Sequence, residues 1–331
     1  MTENIEKKQL GSSGIKVSAM GLGCMGMSEF YGAPMEISKG IRLIHHALEH
    51  GINFFDTADM YGSGHNEELL AAALTDRRKK AVIATKFGIV REGKKYSREI
   101  CGKPDYVRQS CHQSLRRLNT DYIDLYYIHR VDTKTPIEDT VGEMAKLVKE
   151  GKVKAIGICE ASPQTLRKAH QEHPISALQT EYSMLTRDPE AEMISLINAL
   201  GITLVPYSPI CRGLLSTTPH NENDPADFRI NFPRFQSDSY ATNKHIAQKL
   251  TEIAKGIGCT LAQLSLAWVM AQGDNIIPIP GTTKIKNLDS NIAAVRIKLG
   301  QRELAQINRE LDNHTVRGER YTAEGMKGVN A

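Results

Sequence analysis

Four polar side chains, each near the end of a short apolar run, have the residue types and spacing of a proton-donating site. Asp56 and Tyr61 are five residues apart and follow the apolar run 51–55, where a predicted strand passes into a loop. Two later apolar runs end in Lys86 and in His129. A phenol has a pKa of ~10 and is a weak acid at neutral pH, but a nearby cation lowers that value. The four residues therefore predict a phenol that protonates an oxygen atom, assisted by a lysine and a histidine.

The elements that must position these side chains alternate regularly along the chain. Strand-like apolar runs occupy 19–24, 52–57, 81–87, 123–129, 153–159, 176–182, 202–207 and 275–280. Segments of helical periodicity follow them at 38–50, 65–75, 105–118, 136–149, 163–172, 189–200, 242–256 and 285–297. Strands that alternate with helices in this way predict an α/β fold, a single (β/α)8 TIM barrel. In such a barrel the four side chains lie at the C-terminal ends of the strands.

Several segments extend this repeat. Residues 8–18 predict an N-terminal β-hairpin, which we expect to close the N-terminal mouth of the barrel. Two extra helices are predicted at 260–272, with Thr260 as N-cap, and at 301–311. The irregular stretch 208–240 contains four prolines, and loops of that length are usually functional. No linker interrupts the repeat, so we predict a single domain over residues 1–331.

A doubly wound dinucleotide-binding fold is the main alternative. Residues 21–26, GLGCMG, match the GxGxxG motif. That motif requires a helix that opens at the glycines, so that its N-terminus meets the pyrophosphate. Here the helical periodicity begins only near residue 38, and no second strand ends in an acidic residue at the expected distance. We therefore favour a tight turn between a strand and a loop, beside a ligand.

Composition and charge exclude several classes of protein. The 331 residues include 42 basic and 38 acidic ones, with the basic residues dispersed, which argues against a nucleic-acid partner. No run approaches the ~18 apolar residues of a membrane span, and the N-terminus is polar, so we expect a cytoplasmic protein without a membrane partner. The six cysteines show no CxxC spacing and predict neither a disulfide framework nor a metal site. The sequence gives no indication of the oligomeric state.

Blocks of sequence along nearly the whole chain resemble the aldo-keto reductase superfamily. They are GINFFDTADMYG (51–62), GHNEELL (64–70), ATKFG (84–88), IDLYYIH (123–129), LQTEYS (178–183), PYSP (206–209) and IPGTTK (279–284). Within the superfamily the chain is most similar to the branch that includes plant perakine reductase and yeast pyridoxal reductase.

The resemblance implies a catalytic tetrad of Asp56, Tyr61, Lys86 and His129. Tyr61 would be the general acid, Lys86 paired with Asp56 would favour the phenolate, and His129 would orient the substrate oxygen. Taken alone, Asp56 and Lys86 could form a structural ion pair, and His129 could be a hydrogen-bonded core histidine. The presence of all four at strand ends favours catalysis.

The resemblance also implies a bound NADP(H), since no side chain donates hydride. Tyr207 would stack on the nicotinamide, with Gln179, Cys159 and Glu160 at its carboxamide. The pyrophosphate would follow the start of the long loop, at Ser208, Pro209, Arg212 and Gly213. The eighth helix would receive the 2′-phosphate at its start and the adenine further along, through Gly281, Thr282, Thr283, Lys284 and Asn291. Lys284 and Lys286 could otherwise be solvated surface lysines.

The expected function is NADPH-dependent reduction of a small-molecule aldehyde or ketone, without a metal. One alternative is an NADP(H)-binding regulatory or sensor subunit with slow or vestigial reductase activity. Another is a metal-dependent hydrolase using His129 and Asp56, which is disfavoured because no HxH or HxxE cluster supplies the ~3 ligands required. We expect Phe30, Tyr31, Met60, Phe87 and the region 227–235 to face the substrate pocket.

Overall fold

The computed structural model of the chain describes residues 5–92, 95–216 and 227–331. Its strands are β1 (Lys7–Gln9), β2 (Lys16–Ser18), β3 (Leu22–Gly23), β4 (Phe54–Asp56), β5 (Val82–Phe87), β6 (Ile89–Glu92), β7 (Lys95–Ile100), β8 (Ile123–Ile128), β9 (Val153–Cys159), β10 (Ala177–Glu181) and β11 (Thr203–Tyr207). A seven-stranded parallel sheet has the order β3, β4, β5, β8, β9, β10, β11. The remaining strands form two antiparallel hairpins, β1 with β2 and β6 with β7.

The segment 275–281 closes this sheet into a barrel. It forms parallel bridges to Leu204 of β11 on one side and to Gly23 of β3 on the other. Pro278 and Pro280 have no backbone N–H and cannot donate to a strand ladder, so only part of the usual bonding forms here. The predicted eighth strand is therefore present as a short bridged segment, and the predicted (β/α)8 barrel is confirmed.

Eleven α-helices are found in the part of the chain that the structure describes. They are α1 (Ile37–Glu49), α2 (His65–Leu74), α3 (Pro104–Arg117), α4 (Ile137–Lys149), α5 (Pro163–Glu172), α6 (Met193–Leu200), α7 (Ser237–Ile257), α8 (Leu261–Met270), α9 (Ile285–Ala294), α10 (Gln301–Asp312) and α11 (Ala323–Met326). Both predicted extra helices, α8 and α10, are present. Thr260 caps α8 as expected, since its hydroxyl accepts the N–H of Gln263 at 3.2 Å.

The N-terminal hairpin closes the N-terminal mouth of the barrel, as the sequence predicted. Leu10 and Val17 are fully buried and belong to the cluster of side chains that fills the barrel interior. Gly11 donates its N–H to the hydroxyl of Thr203, the first residue of β11, at 2.7 Å. The other mouth is therefore the one available for a site.

Side chains along each strand alternate between the barrel interior and the layer between sheet and helices. Phe54 belongs to the interior cluster and Phe55 to the outer one. Phe87 also belongs to the outer cluster, where its ring lies 4.8 Å from that of Tyr126. The prediction that Phe87 faces the substrate pocket was therefore wrong, because it is out of phase with Lys86 on the same strand.

Two irregular regions differ from the sequence prediction. The hairpin β6–β7 follows β5 directly and was not predicted. Helix α7 begins at Ser237, five residues before its predicted start, and short 3-10 turns occupy Cys211–Gly213, Phe228–Asn231 and Pro233–Phe235. Residues 217–226 of the predicted long loop lie outside the described residues.

No single helix among the described residues is both long and apolar enough to cross a membrane. Helices α7 and α8 pass that test only as a pair, with a bend of 83° between them. All six cysteines are free thiols.

Candidate active site

The barrel brings the four predicted catalytic residues together at its C-terminal mouth. Asp56 is the last residue of β4, Lys86 lies near the end of β5, and His129 follows the last residue of β8. Tyr61 begins a short 3-10 turn in the loop after β4. Because adjacent parallel strands end at the same edge, residues distant in sequence become neighbours here.

Lys86 is the centre of a buried hydrogen-bond network. Its ammonium group donates to Asp56 Oδ1 at 2.5 Å and to the carbonyl oxygen of Thr57 at 2.8 Å. It also lies 3.3 Å from the Tyr61 hydroxyl oxygen, to which it donates. The side chain of Lys86 is 0% exposed, so water does not compete for these bonds. The network fixes the phenol beside a cation.

Burial and the ion pair have opposite effects on the pKa values of the network. Burial alone would lower the pKa of Lys86, but Asp56 and Tyr61 raise it, so the lysine stays an ammonium group. Burial raises the pKa of Tyr61 above 10, while Lys86 lowers it in part. The cation thus acts on the phenol in the expected direction, and desolvation outweighs it in this structure.

His129 faces the phenol of Tyr61. The two rings are 5.8 Å apart in an edge-to-face arrangement. Burial, followed by the charges of Lys86 and Arg130, holds the pKa of His129 well below 6.5, so its imidazole is neutral. Among the described residues its Nδ1 atom has no hydrogen-bond partner. A neutral imidazole beside the phenol can hydrogen-bond a substrate oxygen.

Helix α2 holds the loop that carries Tyr61, a role that the sequence analysis missed. Asn66 accepts the Thr57 hydroxyl at 2.6 Å and donates to the Cys24 carbonyl at 2.9 Å. Glu67 is fully buried and accepts both the Thr85 hydroxyl and Arg117 Nε at 2.6 Å. The block 64–70 was part of the family resemblance, but no sequence pattern indicated these partners.

The predicted nicotinamide-binding residues lie next to the tetrad. Cys159, which ends β9, and Gln179 of β10 are both buried. The Gln179 amide donates to Asp56 Oδ2 at 2.7 Å, so it belongs to the same network as Lys86. Asp56 therefore accepts one bond on each carboxylate oxygen.

Tyr207, at the end of β11, is engaged by the C-terminal segment of the chain. Its hydroxyl donates to Glu160 Oε1 at 2.7 Å and lies 2.8 Å from the Tyr321 hydroxyl. Arg320 Nη1 also approaches Glu160 Oε1, at 3.3 Å. Sequence reasoning missed Arg320 and Tyr321, because they follow the last predicted helix and belong to no periodic pattern.

The turn after Ser208 and Pro209 has an unusual backbone. Ser208, Arg212 and Gly213 have positive φ values of 49°, 52° and 95°. The Arg212 guanidinium donates to Glu181 Oε2 at 2.6 Å and lies 4.7 Å from the centre of the Tyr321 ring. Arg212 is therefore paired with Glu181 in this structure, and its place beside the pyrophosphate stays a prediction.

The predicted adenosine end of the site lies across the barrel mouth, at the start of α9. Gly281 bridges to Gly23, whose carbonyl oxygen would lie 3.1 Å from a Cβ atom at position 281. Thr282 Oγ1 accepts the N–H of Lys284, the N-cap residue of α9, at 3.1 Å. Thr283 and Lys284 are exposed, whereas Asn291 is buried on the same helix.

Of the residues expected to line the pocket, Phe30 and Met60 pack with Tyr61 in a small cluster. The Arg229 guanidinium lies 5.5 Å from the centre of the Tyr31 ring and pairs with Asp227 at 2.6 Å. Arg234, in contrast, is buried and donates to Thr186 Oγ1 at 2.6 Å.

Comparison with known proteins shows the family to which this barrel belongs. Residues 19–312 match the Aldo/keto reductase family. The chain is 49% identical to a probable aldo-keto reductase of Glycine max over 319 residues, 96% of this chain and 92% of that protein. The chain belongs to the aldo/keto reductase family.

Solved structures of this family have the same fold. A glycerol dehydrogenase of Gluconobacter oxydans is 28% identical, with a TM-score of 0.84 over 95% of this chain and 96% of that one. An aldo-keto reductase of Klebsiella pneumoniae in complex with NADPH is 27% identical, with a TM-score of 0.73 over 96% of this chain and 99% of that one.

Proposed function

We propose that this protein reduces the carbonyl group of an aldehyde or ketone with NADPH, and that Tyr61 is the general acid. The observation that carries the proposal is the buried contact of Lys86 with both Asp56 and the Tyr61 hydroxyl, at 2.5 and 3.3 Å. The bound NADPH of a Klebsiella pneumoniae relative supports the choice of cofactor.

The residues of this chain act on the oxygen atom of the substrate. His129, whose imidazole is neutral, hydrogen-bonds and orients that oxygen. Tyr61 donates its hydroxyl proton to the oxygen as negative charge develops there. Lys86 stabilises the phenolate that remains, and Asp56 holds the ammonium group in place. NADPH, when bound, supplies the hydride.

Two features of the barrel mouth suit a bound NADPH: a close backbone approach and exposed positive charge. The backbones of Gly23 and Gly281 approach closely, and a Cβ atom at position 23 would lie only 2.8 Å from the carbonyl oxygen of Ile279, so glycine is required there. The exposed Lys284 and the first N–H groups of α9 offer positive charge to a phosphate. Tyr207, Gln179 and Cys159 would hold the nicotinamide end.

Lys284→Ala is expected to raise the KM for NADPH roughly 10- to 100-fold and to leave the KM for NADH nearly unchanged. Only NADPH carries the 2′-phosphate, and loss of one charge-assisted hydrogen bond has an effect of about this size. Steady-state kinetics with each cofactor at saturating substrate would measure the difference.

The matched control is Lys255→Ala, which removes another exposed lysine, from α7. It should leave both KM values unchanged. Equal weakening of NADPH and NADH by Lys284→Ala would contradict the assignment, and so would a parent enzyme that already prefers NADH.

The proposed function is tested by following NADPH oxidation with a panel of aldehydes, ketones, quinones and pyridoxal. Saturable turnover with at least one carbonyl compound, abolished by Tyr61→Phe, would support the proposal. Stoichiometric NADPH binding without turnover above the Tyr61→Phe level would favour the alternative of a regulatory or sensor subunit. The single domain over 1–331, the cytoplasmic location and the absence of nucleic-acid and membrane partners remain predictions.

A further inference from the structure

Two histidines and an aspartate meet on the outer surface of the barrel, away from the catalytic residues. His46 and His50 are one helical turn apart at the end of α1, and their rings stack with centroids 4.0 Å apart. Asp289 reaches them from α9, and its Oδ1 atom lies 2.6 Å from His46 Nε2. The three potential ligand atoms all lie within 4.8 Å of one another. Within residues 5–92, 95–216 and 227–331, no other group of His, Cys, Asp and Glu side chains has this geometry.

A hydrogen bond of the His50 ring leaves its Nε2 atom available to a metal. Its Nδ1 atom lies 2.8 Å from the carbonyl oxygen of His46, which can only accept, so Nδ1 carries the proton. The lone pair is then on Nε2. A metal-ligating histidine typically has its other ring nitrogen bonded to a carbonyl or carboxylate in this way, which fixes the tautomer and the ring orientation.

The charges around the cluster also favour a cation. His46 and His50 lie at the C-terminal end of α1, where the helix dipole and the unpaired carbonyl groups are negative. Asp289 adds a carboxylate. Two imidazole nitrogens and one carboxylate oxygen form a donor set that suits Zn²⁺, and such a three-residue set leaves one coordination position for water.

We propose that His46, His50 and Asp289 bind one Zn²⁺ ion, which ties α1 to α9. In a tetrahedral site with bonds of about 2.0–2.2 Å, neighbouring ligand atoms are about 3.3–3.6 Å apart. His46 Nε2, which now donates to the Asp289 carboxylate, must therefore release its proton to solvent as Zn²⁺ binds, and the two ligand atoms must separate from their present 2.6 Å. The Asp289 side chain is 51% exposed, so solvent rather than protein surrounds much of it and it has space to rotate.

The test is titration of the full chain with Zn²⁺ alone, by calorimetry, after removal of metals with a chelator. The parent should bind one equivalent of Zn²⁺. The ion should raise the melting temperature, because it binds the folded chain and joins α1 to α9. His46→Gln, His50→Gln and Asp289→Asn should each weaken Zn²⁺ binding at least about tenfold. Loss of a residue that only hydrogen-bonds a metal ligand already has an effect of this size. Each should also remove most of the Zn²⁺-dependent rise in melting temperature.

The matched control is His173→Gln, which removes a histidine outside the cluster, at the C-terminal end of α5. It should bind Zn²⁺ as the parent does. Melting temperatures measured without metal should show that all variants fold, since His46, His50 and Asp289 are all partly exposed.

Two results would overturn the proposal. One is the absence of stoichiometric Zn²⁺ binding by the parent. The other is binding that survives His46→Gln and His50→Gln and is lost on alkylation of the partly exposed Cys101 and Cys259. Neither result bears on the reductase proposal, because the cluster includes no residue of the tetrad.

Discussion

Tyr61→Phe is expected to lower carbonyl reduction by roughly 10²- to 10⁴-fold, the usual contribution of a general acid. The substitution removes the hydroxyl that lies 3.3 Å from Lys86 Nζ and leaves the buried ring in place. NADPH binding should be unchanged, because the phenol is the proton donor and makes no required cofactor contact. Steady-state kinetics measures the first effect and calorimetric titration with NADPH the second.

Tyr127→Phe is the matched control for this substitution. Tyr127 is a fully buried tyrosine in the barrel interior on β8, and it has no proposed role in proton transfer. It should retain most of the activity. A loss smaller than tenfold in Tyr61→Phe, or an equal loss in both variants, would remove Tyr61 from the role of general acid.

Lys86→Met is expected to reduce activity by a comparable factor and to shift the pH profile. Reduction requires a protonated phenol, so activity falls as the pH rises through the pKa of Tyr61. Burial raises that pKa and Lys86 lowers it, so removal of the cation raises it further. The alkaline limb of kcat/KM should therefore move to higher pH in the variant. The pH dependence of kcat/KM from neutral to strongly alkaline solution measures the shift.

A structural role of Lys86 can be separated from the catalytic one. Removing one partner of a buried ion pair typically costs about 3–5 kcal/mol of unfolding free energy, because the other charge stays buried. The double variant Asp56→Asn with Lys86→Met removes both charges and should recover stability without activity. If Lys86→Met had the parent's pH profile, or if the double variant recovered activity, Lys86 would be only the structural partner of Asp56.

Most of the barrel could be predicted from the sequence, because the apolar runs that mark its strands and the helical periodicities between them are patterns of neighbouring residues. The runs that became β5, β8 and β9 have nearly the predicted bounds, since each is a short, mostly apolar and almost entirely buried segment between helices. The position of Lys86 relative to Asp56 followed from the same pattern, because parallel strands align their carboxyl ends. The sequence therefore predicted that these four side chains meet at one mouth of the barrel.

What the sequence could not give were the contacts made by irregular segments. Tyr321 meets Tyr207 and Arg212, more than a hundred residues earlier in the chain, through a C-terminal segment without periodicity. The pairing of Arg212 with Glu181 also depends on a turn with positive φ values, which propensities do not specify. The prediction for Phe87 was wrong for a simpler reason. Its side chain was assigned to the inner face of β5, whereas it lies on the outer face.

The central claim, that this barrel transfers hydride from NADPH to a carbonyl carbon, is tested most directly with isotope labelling. The protein is incubated with NADPH deuterated at the transferable C4 position of the nicotinamide and with a carbonyl compound that the screen selects, and the product is analysed by mass spectrometry. We predict one deuterium on the former carbonyl carbon with the parent and almost none with Tyr61→Phe. NADPH that binds or is consumed without deuterium in the alcohol product would contradict the account.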